Sequence, residues 1–427
     1  MHLQNNRFKH FSYCLRFGGV LILTALIAGL GGILLHEFLD LIEYLVLGHG
    51  ETSSVQAVST KQFILIVFAG IISAIIWYFL QQKNRQIISV KSQMKAENPV
   101  SRQPKLWIHL TNIFLQVASV GAGSPIGKEG APRELGALGA GRVSDYLKLT
   151  LQDRKLAIAC GASAGLAAVY QVPIASIFFA FETLGLGISV LNLISVSVTT
   201  ILASLVSGVV ISDAPLYEAG QVTLDVKTAL LAIVLAVLIS PIAQLFRRLT
   251  QKAQAQKVTD HTILWRLPLT FLLLASLSLV FPEILGNGGA MAQGVFDGMT
   301  VQYAAMIVVV KAFVVLLTLK NGAYGGTLTP SFSMGAVLGF LGAVLCSQIF
   351  PTNSLASAML IGSSVFLAIT MNAPLTAIGL VVSFTGQKLQ ALPILLIAVA
   401  VAIFIKQLIE RNSYVNPYRS QTRRNCR

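Results

Sequence analysis

The residue best suited to chemistry is an acid set between glycines in apolar surroundings. Glu129 lies in Gly127-Lys128-Glu129-Gly130-Ala131-Pro132. An ionisable group inside a membrane segment is expensive and is a functional candidate by default. Pro132 places Glu129 just ahead of a helix expected to begin near that residue. A helix start presents unpaired N–H groups and a partial positive charge. It therefore binds anions without help from an arginine. A carboxylate there competes with an anion when ionised and leaves when protonated, which makes it a protonatable plug. The plain alternative is an ion pair with Lys128 or Arg133 that only fastens the segment.

The elements that position Glu129 occur twice. GASAGLAAVYQVPIASIFFAFETLG, from Gly161 to Gly185, aligns without gaps to GSSVFLAITMNAPLTAIGLVVSFTG, from Gly362 to Gly386. The offset is 201 residues, and seven of the 25 positions are identical, among them Pro173/Pro374. Ahead of each copy stands a Gly-rich segment, Gly121–Gly139 and Gly322–Gly339, in the same order. Apolar, Ala-rich stretches match by chance, but two matches in order point to duplication. Gly/Pro-interrupted apolar segments at corresponding places in two halves mark the binding site of a transporter. Broken helices are tolerated in hydrocarbon only where they are buried or line a cavity. Two such halves would enclose one midplane site, with an anion as its natural ligand.

Composition sets the medium. The 427-residue chain is 55% hydrophobic and 11% charged, against about 25% charged in soluble domains; its mean hydropathy is +0.74. Stretches such as Phe17–His36, Gln62–Leu80, Lys227–Phe246 and Leu392–Ile409 approach the roughly 20 apolar residues a membrane helix needs. Ten or more helical passages are expected. An ordinary cytosolic enzyme, a disordered chain and a secreted disulfide scaffold are excluded. The four cysteines are scattered, and Cys160 and Cys346 read as small apolar residues.

The net charge of +14 would by itself suggest nucleic acid. The bases, however, gather between apolar runs: Lys83, Arg85, Lys91, Lys95, Arg102 and Lys105 in one loop, Arg247, Arg248, Lys252 and Lys257 in another. The tail from Arg411 to Arg427 holds five arginines and no acid. Positive loops mark the cytoplasmic side, so both termini are expected inside, and no nucleic-acid partner is expected.

Rival motifs fail on context. Gly161-Ala162-Ser163-Ala164-Gly165 matches a nucleophile elbow, which needs a strand-to-helix turn and a histidine partner; here it sits in a membrane helix. His36-Glu37 begins a zinc motif, but Asp40 takes the place of the second histidine. Lys311 interrupts an apolar run and is expected to snorkel or to pair inside the bundle.

Gly127-Lys128-Glu129-Gly130 resembles the G-[KR]-E-G-P signature of the chloride channel (CLC) family of anion channels and proton-coupled exchangers. Gly326-Thr327-Leu328-Thr329-Pro330 resembles that family's G-x-F-x-P motif, and Pro173–Glu182 its P-[LI]-A-G-x-x-F-x-x-E segment. The resemblance covers residues 17 to 420, including the order of the motifs. It implies an all-α polytopic membrane protein of two inverted-topology repeats with broken, tilted helices. Glu129 would be the gating glutamate, with Gly127, Lys128 and Gly130 shaping its helix start. Gly326 and the Thr327–Leu328 amides would serve the central anion. The family's C-terminal tyrosine falls on Tyr414, with Tyr418 the other candidate, and its anion-binding serine, by spacing, on Ser89.

There are departures. Leu328 replaces an aromatic, Ala131 a proline, and the serine-bearing loop is not recognisable. The second glutamate that many proton-coupled members carry after Glu182 is Thr183 here. A simple internal proton path through Glu182 and Thr183 is thereby in doubt, which tilts the reading toward a channel.

The expected organisation is a cytoplasmic segment 1–16, a membrane domain 17–410 with repeat halves near 17–212 and 227–410, and a short basic tail 411–427 with no regulatory domain after it. The expected function is chloride transport through a site at helix N-termini. Proton-coupled antiport and fluoride export are the alternatives within the fold, an organic-solute transporter or a membrane enzyme those outside it. No enzyme activity, metal or cofactor is expected. The expected setting is a homodimer among lipids of a bacterial inner membrane.

Overall fold

The structure is a computed structural model that describes residues 2–48, 50, 57–82, 87–95, 105–347 and 355–424, with side chains from residue 13 to residue 411 within these ranges. The first half runs α1 (His2–Val46), α2 (Thr60–Leu80), α3 (Val90–Lys95), α4 (Leu106–Gly121), α5 (Gly130–Tyr146), α6 (Leu151–Tyr170), α7 (Pro173–Glu182) and α8 (Val190–Ser207). The second runs α9 (Val226–Ala255), α10 (Ile263–Ser278), α11 (Gly289–Asp297), α12 (Val301–Lys320), α13 (Leu328–Cys346), α14 (Leu355–Met371), α15 (Pro374–Phe384) and α16 (Leu392–Arg424). Among the described residues seven helices are long and apolar enough to cross a membrane. The chain is a multi-pass membrane protein.

Its helix breaks are local consequences of sequence. Gln171 closes α6 in the left-handed region at φ 53°, and Asn372 stands after α14 at φ 56°. Each is followed two residues later by a proline, Pro173 or Pro374, at the first position of the next helix. Proline there loses nothing, because that N–H has no intrahelical partner in any case. The α6–α7 break is thus repeated, 201 residues on, between α14 and α15.

Small residues bring the broken helices close. A Cβ on Gly161 would run into the Gly136 carbonyl oxygen, and one on Gly362 into that of Gly335. The pairs α5–α6 and α13–α14 therefore touch backbone to backbone, as small residues permit between membrane helices. Ser163, in the would-be nucleophile elbow, is fully buried within α6.

The two repeats meet where Gly127 and Gly326 form an antiparallel bridge, Gly127 N–H to Gly326 O at 2.8 Å and Gly326 N–H to Gly127 O at 2.9 Å. Equivalent segments thus face each other with opposed chain directions, as an inverted duplication requires. Nearby, α7 packs on α15, where Gly379 admits Ala175.

Two expected boundaries do not coincide with helix ends. Helix α1 runs through residues 16 and 17, and α16 continues past 410. Nothing in the backbone there stops a helix. Helix α5 begins at Gly130, two residues before the expected start.

Candidate functional site

Glu129 is 1% exposed and immediately precedes α5. Its carboxylate does not cap its own helix; it crosses to the other repeat. Oε1 accepts a hydrogen bond from the Leu328 N–H, the first residue of α13, at 2.7 Å. Thr327 precedes that helix without a side-chain cap of its own, so the Glu129 carboxylate takes the place a cap would fill. Such a carboxylate is stabilised by the orphan N–H and the helix dipole together.

The glycines make this geometry possible. A Cβ on Gly127 or on Gly326 would fall onto the Glu129 carboxylate. Both strands of the bridge must therefore be glycine for the acid to lie between them. The other oxygen, Oε2, is buried and has no hydrogen-bond partner. A buried acceptor left bare costs about 1–3 kcal/mol, so the seated position is held from one side only. Arg133 secures the backbone, its Nε donating to the Glu129 carbonyl at 2.6 Å, and its guanidinium attracts the carboxylate.

The flanking motif residues also bridge the halves. Lys128 is 5% exposed, and its ammonium lies 5.5 Å from the centre of the Tyr170 ring. The Tyr170 hydroxyl in turn shares a hydrogen bond with Thr329 Oγ1 at 3.3 Å. Gly130 opens α5, and the Gln116 amide oxygen occupies the place of its missing Cβ.

Gly130 and Arg133 line a cavity of about 310 Å³ with Ser89, Thr183 and Gly325. Ser89 therefore reaches the same cavity as the start of α5. Its hydroxyl, though, accepts from Ser92 N–H at 3.2 Å and pairs with Ser92 Oγ at 2.9 Å, in an exposed position. Thr183 stands at the cavity wall just past the end of α7.

Glu182 has a different task. Its Oε1 accepts from Leu375 N–H at 2.9 Å, and its Oε2 from Thr376 N–H at 2.8 Å and the Thr376 hydroxyl at 2.7 Å. It caps α15 across the repeat boundary, where Pro374 has no N–H to offer. Tyr414 and Tyr418 lie on the last turns of α16, and their side chains fall outside the described residues.

Two groups here, Glu134 and Lys257, escaped the reading of the sequence, and a third, Lys311, takes one of the two courses expected for it, bonding inside the bundle. Glu134 belongs to a buried polar cluster with His109, Asn112 and Gln116. Lys257, in the α9–α10 loop, sits 3.5 Å from the centre of the Tyr324 ring, and burial pushes its amine down to about 7. Lys311 is fully buried and donates to the Ile284 and Gly286 carbonyls, both at 2.7 Å. It pins the segment before α11 and does not snorkel. No sequence signal distinguishes Glu134 and Lys257 from solvated charges, because their partners are remote in the chain. No cluster able to hold a metal occurs among the described residues.

Known proteins identify the family. The sequence profile of a family described as "Voltage gated chloride channel" matches residues 69–407. The chain is 29% identical over 396 residues to the voltage-gated ClC-type chloride channel ClcB of Escherichia coli, covering 90% of this chain and 93% of that one. It is 29% identical over 395 residues to ClcB of Shigella flexneri, covering 89% and 93%. Among solved structures, a slow cyanobacterial Cl-/H+ antiporter superposes with a TM-score of 0.75 at 19% identity, covering 93% of this chain and 98% of that one. A CLC-type fluoride/proton antiporter gives 0.72 at 21%, covering 91% and 94%. With a profile spanning most of its length and the two motif segments bridged face to face, the chain belongs to the voltage-gated chloride channel family.

Proposed function

We propose that this protein moves chloride across a membrane through the site at the start of α13, and that Glu129 is its protonatable plug. The observation that carries the reading is the Leu328 N–H donating to the Glu129 carboxylate between two obligatory glycines. A chloride ion needs the same things: N–H donors, a positive helix end and no side chain in the way. Ionised, Glu129 occupies that position. Protonated, it loses its attraction to the helix end, and its bare Oε2 gives it little reason to stay.

Chloride is favoured over fluoride because the relatives at 29% identity over most of the chain are described as chloride channels. Passive conduction is favoured over proton exchange by two features on the cavity side. Thr183 stands at the cavity wall where an acid would be needed, and the neighbouring Glu182 is spent on capping α15. The protein works as a homodimer in a bacterial inner membrane with its basic tails inside, where positive charge also raises the local anion concentration.

The test is chloride efflux from proteoliposomes holding the purified protein, with proton movement recorded in parallel. Efflux without a stoichiometric proton flux is expected. Protons moving in fixed ratio to chloride would overturn the passive reading, and no chloride flux at all would overturn the function.

A further inference from the structure

We propose that His109 is a second proton-binding site, separate from Glu129, and that its occupancy releases the cavity-lining segment Ile87–Ser89. The argument is a count of donors. Trp77 Nε1–H can only donate, and it donates to Asn112 Oδ1 at 3.1 Å. The Asn112 amide is thereby oriented, and its Nδ2 donates to Glu134 Oε2 at 2.9 Å. Gln116 Nε2 donates to the same oxygen at 3.1 Å. The Ile88 backbone N–H can only donate, and it points at His109 Nε2, 3.3 Å away. That nitrogen must therefore be bare, so the ring proton is on Nδ1 and is donated to Glu134 Oε1 at 2.5 Å.

Glu134 is in consequence a carboxylate with three donors aimed at it, two of them oriented by groups that cannot reverse. Three of its four acceptor positions are filled by these donors. The His109 Nε2, which faces the Ile88 N–H, is the position where a proton would be read out by a neighbouring segment. The consequence falls on one bond: a protonated Nε2 cannot accept from Ile88.

His109 is fully buried in α4, so the readout is confined to its neighbours. Ile87, Ile88 and Ser89 line the same cavity as Gly130 and Arg133. Once freed from His109, Ile88 is still held by Gln93, whose Nε2 donates to the Ile88 carbonyl at 3.2 Å. The segment therefore loosens without detaching. Among the described residues, the ionisable groups on the wall of that cavity are Glu134 and Arg133 from α5, Lys91 from α3 and Tyr324 ahead of α13. Of these, Glu134 bonds the imidazole.

The closing experiment compares backbone hydrogen exchange of peptides covering Ile87–Val90 in the wild type and in His109→Gln, at matched pH. A glutamine amide oxygen can accept from Ile88 at every pH. The two proteins should exchange alike at neutral pH, and on acidification the wild type should become about five-fold faster, the effect of one lost hydrogen bond. Equal rates at every pH overturn the proposal. A second measurement needs no variant: deuterium exchange at the His109 ring carbon in the wild type should show an inflection with pH, and a flat profile overturns the proposal as well. Both readouts are independent of chloride transport. Only a third rests on that reading: Glu129→Gln should keep a shallow acid dependence of chloride flux that Glu129→Gln/His109→Gln lacks.

Discussion

Replacing Glu129 by glutamine isolates the charge of the plug, because the side chain keeps its shape. The wild-type carboxylate gains a charge-assisted bond from Leu328 N–H at 2.7 Å, of the class that contributes about 1.5–3 kcal/mol. The positive end of α13 adds up to about 2 kcal/mol in a buried setting. Glutamine retains a neutral hydrogen bond of about 1 kcal/mol and loses the charge. The bare Oε2 pulls the wild-type figure toward the low end.

The seated position should thus weaken by about 2 kcal/mol, roughly a 30-fold change in the ratio of seated to unseated plug. Chloride efflux from proteoliposomes, taken from neutral to acid pH, reads this directly. Wild-type flux should rise as the pH falls, since protonation removes the same charge. Glu129→Gln should run near the wild-type acid limit at neutral pH, without the steep acid activation. Glu129→Ala, which deletes the plug, should behave likewise and so controls for residual seating of the amide. If Glu129→Gln keeps the wild-type acid activation in full, the plug is not Glu129 and the reasoning fails.

Three further outcomes are expected. Glu182→Ala should lower the thermal stability of the purified protein by the equivalent of about 1–2 kcal/mol, the usual worth of a helix cap, and leave the pH dependence of chloride flux intact; a lost pH dependence would return Glu182 to the proton path. Gly161→Ala should cost about 1–3 kcal/mol through the clash with the Gly136 carbonyl, and Gly161→Val more, measured as falling denaturation midpoints. Burial holds Lys257 at about 7, below its ordinary 10.5, so between those values the unfolded chain binds more protons and stability rises with pH. Lys257→Met should flatten that rise, and an unchanged slope in thermal melts would refute it.

Parts of the architecture were legible because they act locally. Pro173 and Pro374 suit the first position of a helix, and each copy of the repeat carries one at the same place. The Gly127–Gly130 and Gly326–Pro330 motifs marked the two halves of the site for the same reason: a glycine shows where backbone must come close to something.

What that something is was not legible. Nothing near Glu129 in the chain says that its carboxylate seats on the amide of Leu328, 199 residues away. Glu182 looked like a relay residue or a helix end, and its work as the cap of α15 depends on a partner 193 residues on. Ser89 was placed by spacing alone, and in the fold it reaches the cavity while bonding to its own helix. His109 and Glu134 did not stand out, since what joins them is the packing of α4 on α5.

The sequence by itself determined the solvent and the duplication. Apolar content, run length and the position of prolines and glycines act through local free energies that need no knowledge of the fold. Only the tertiary structure decided which acid does what. Glu129, Glu134 and Glu182 are chemically alike, and they differ in whether the donors that surround them come from one amide with an oxygen left bare, from three oriented side chains, or from a helix start with its hydroxyl. Those donors are brought by segments remote in the chain. The packing of those segments therefore sets which carboxylate keeps a bare oxygen and which have both oxygens bonded.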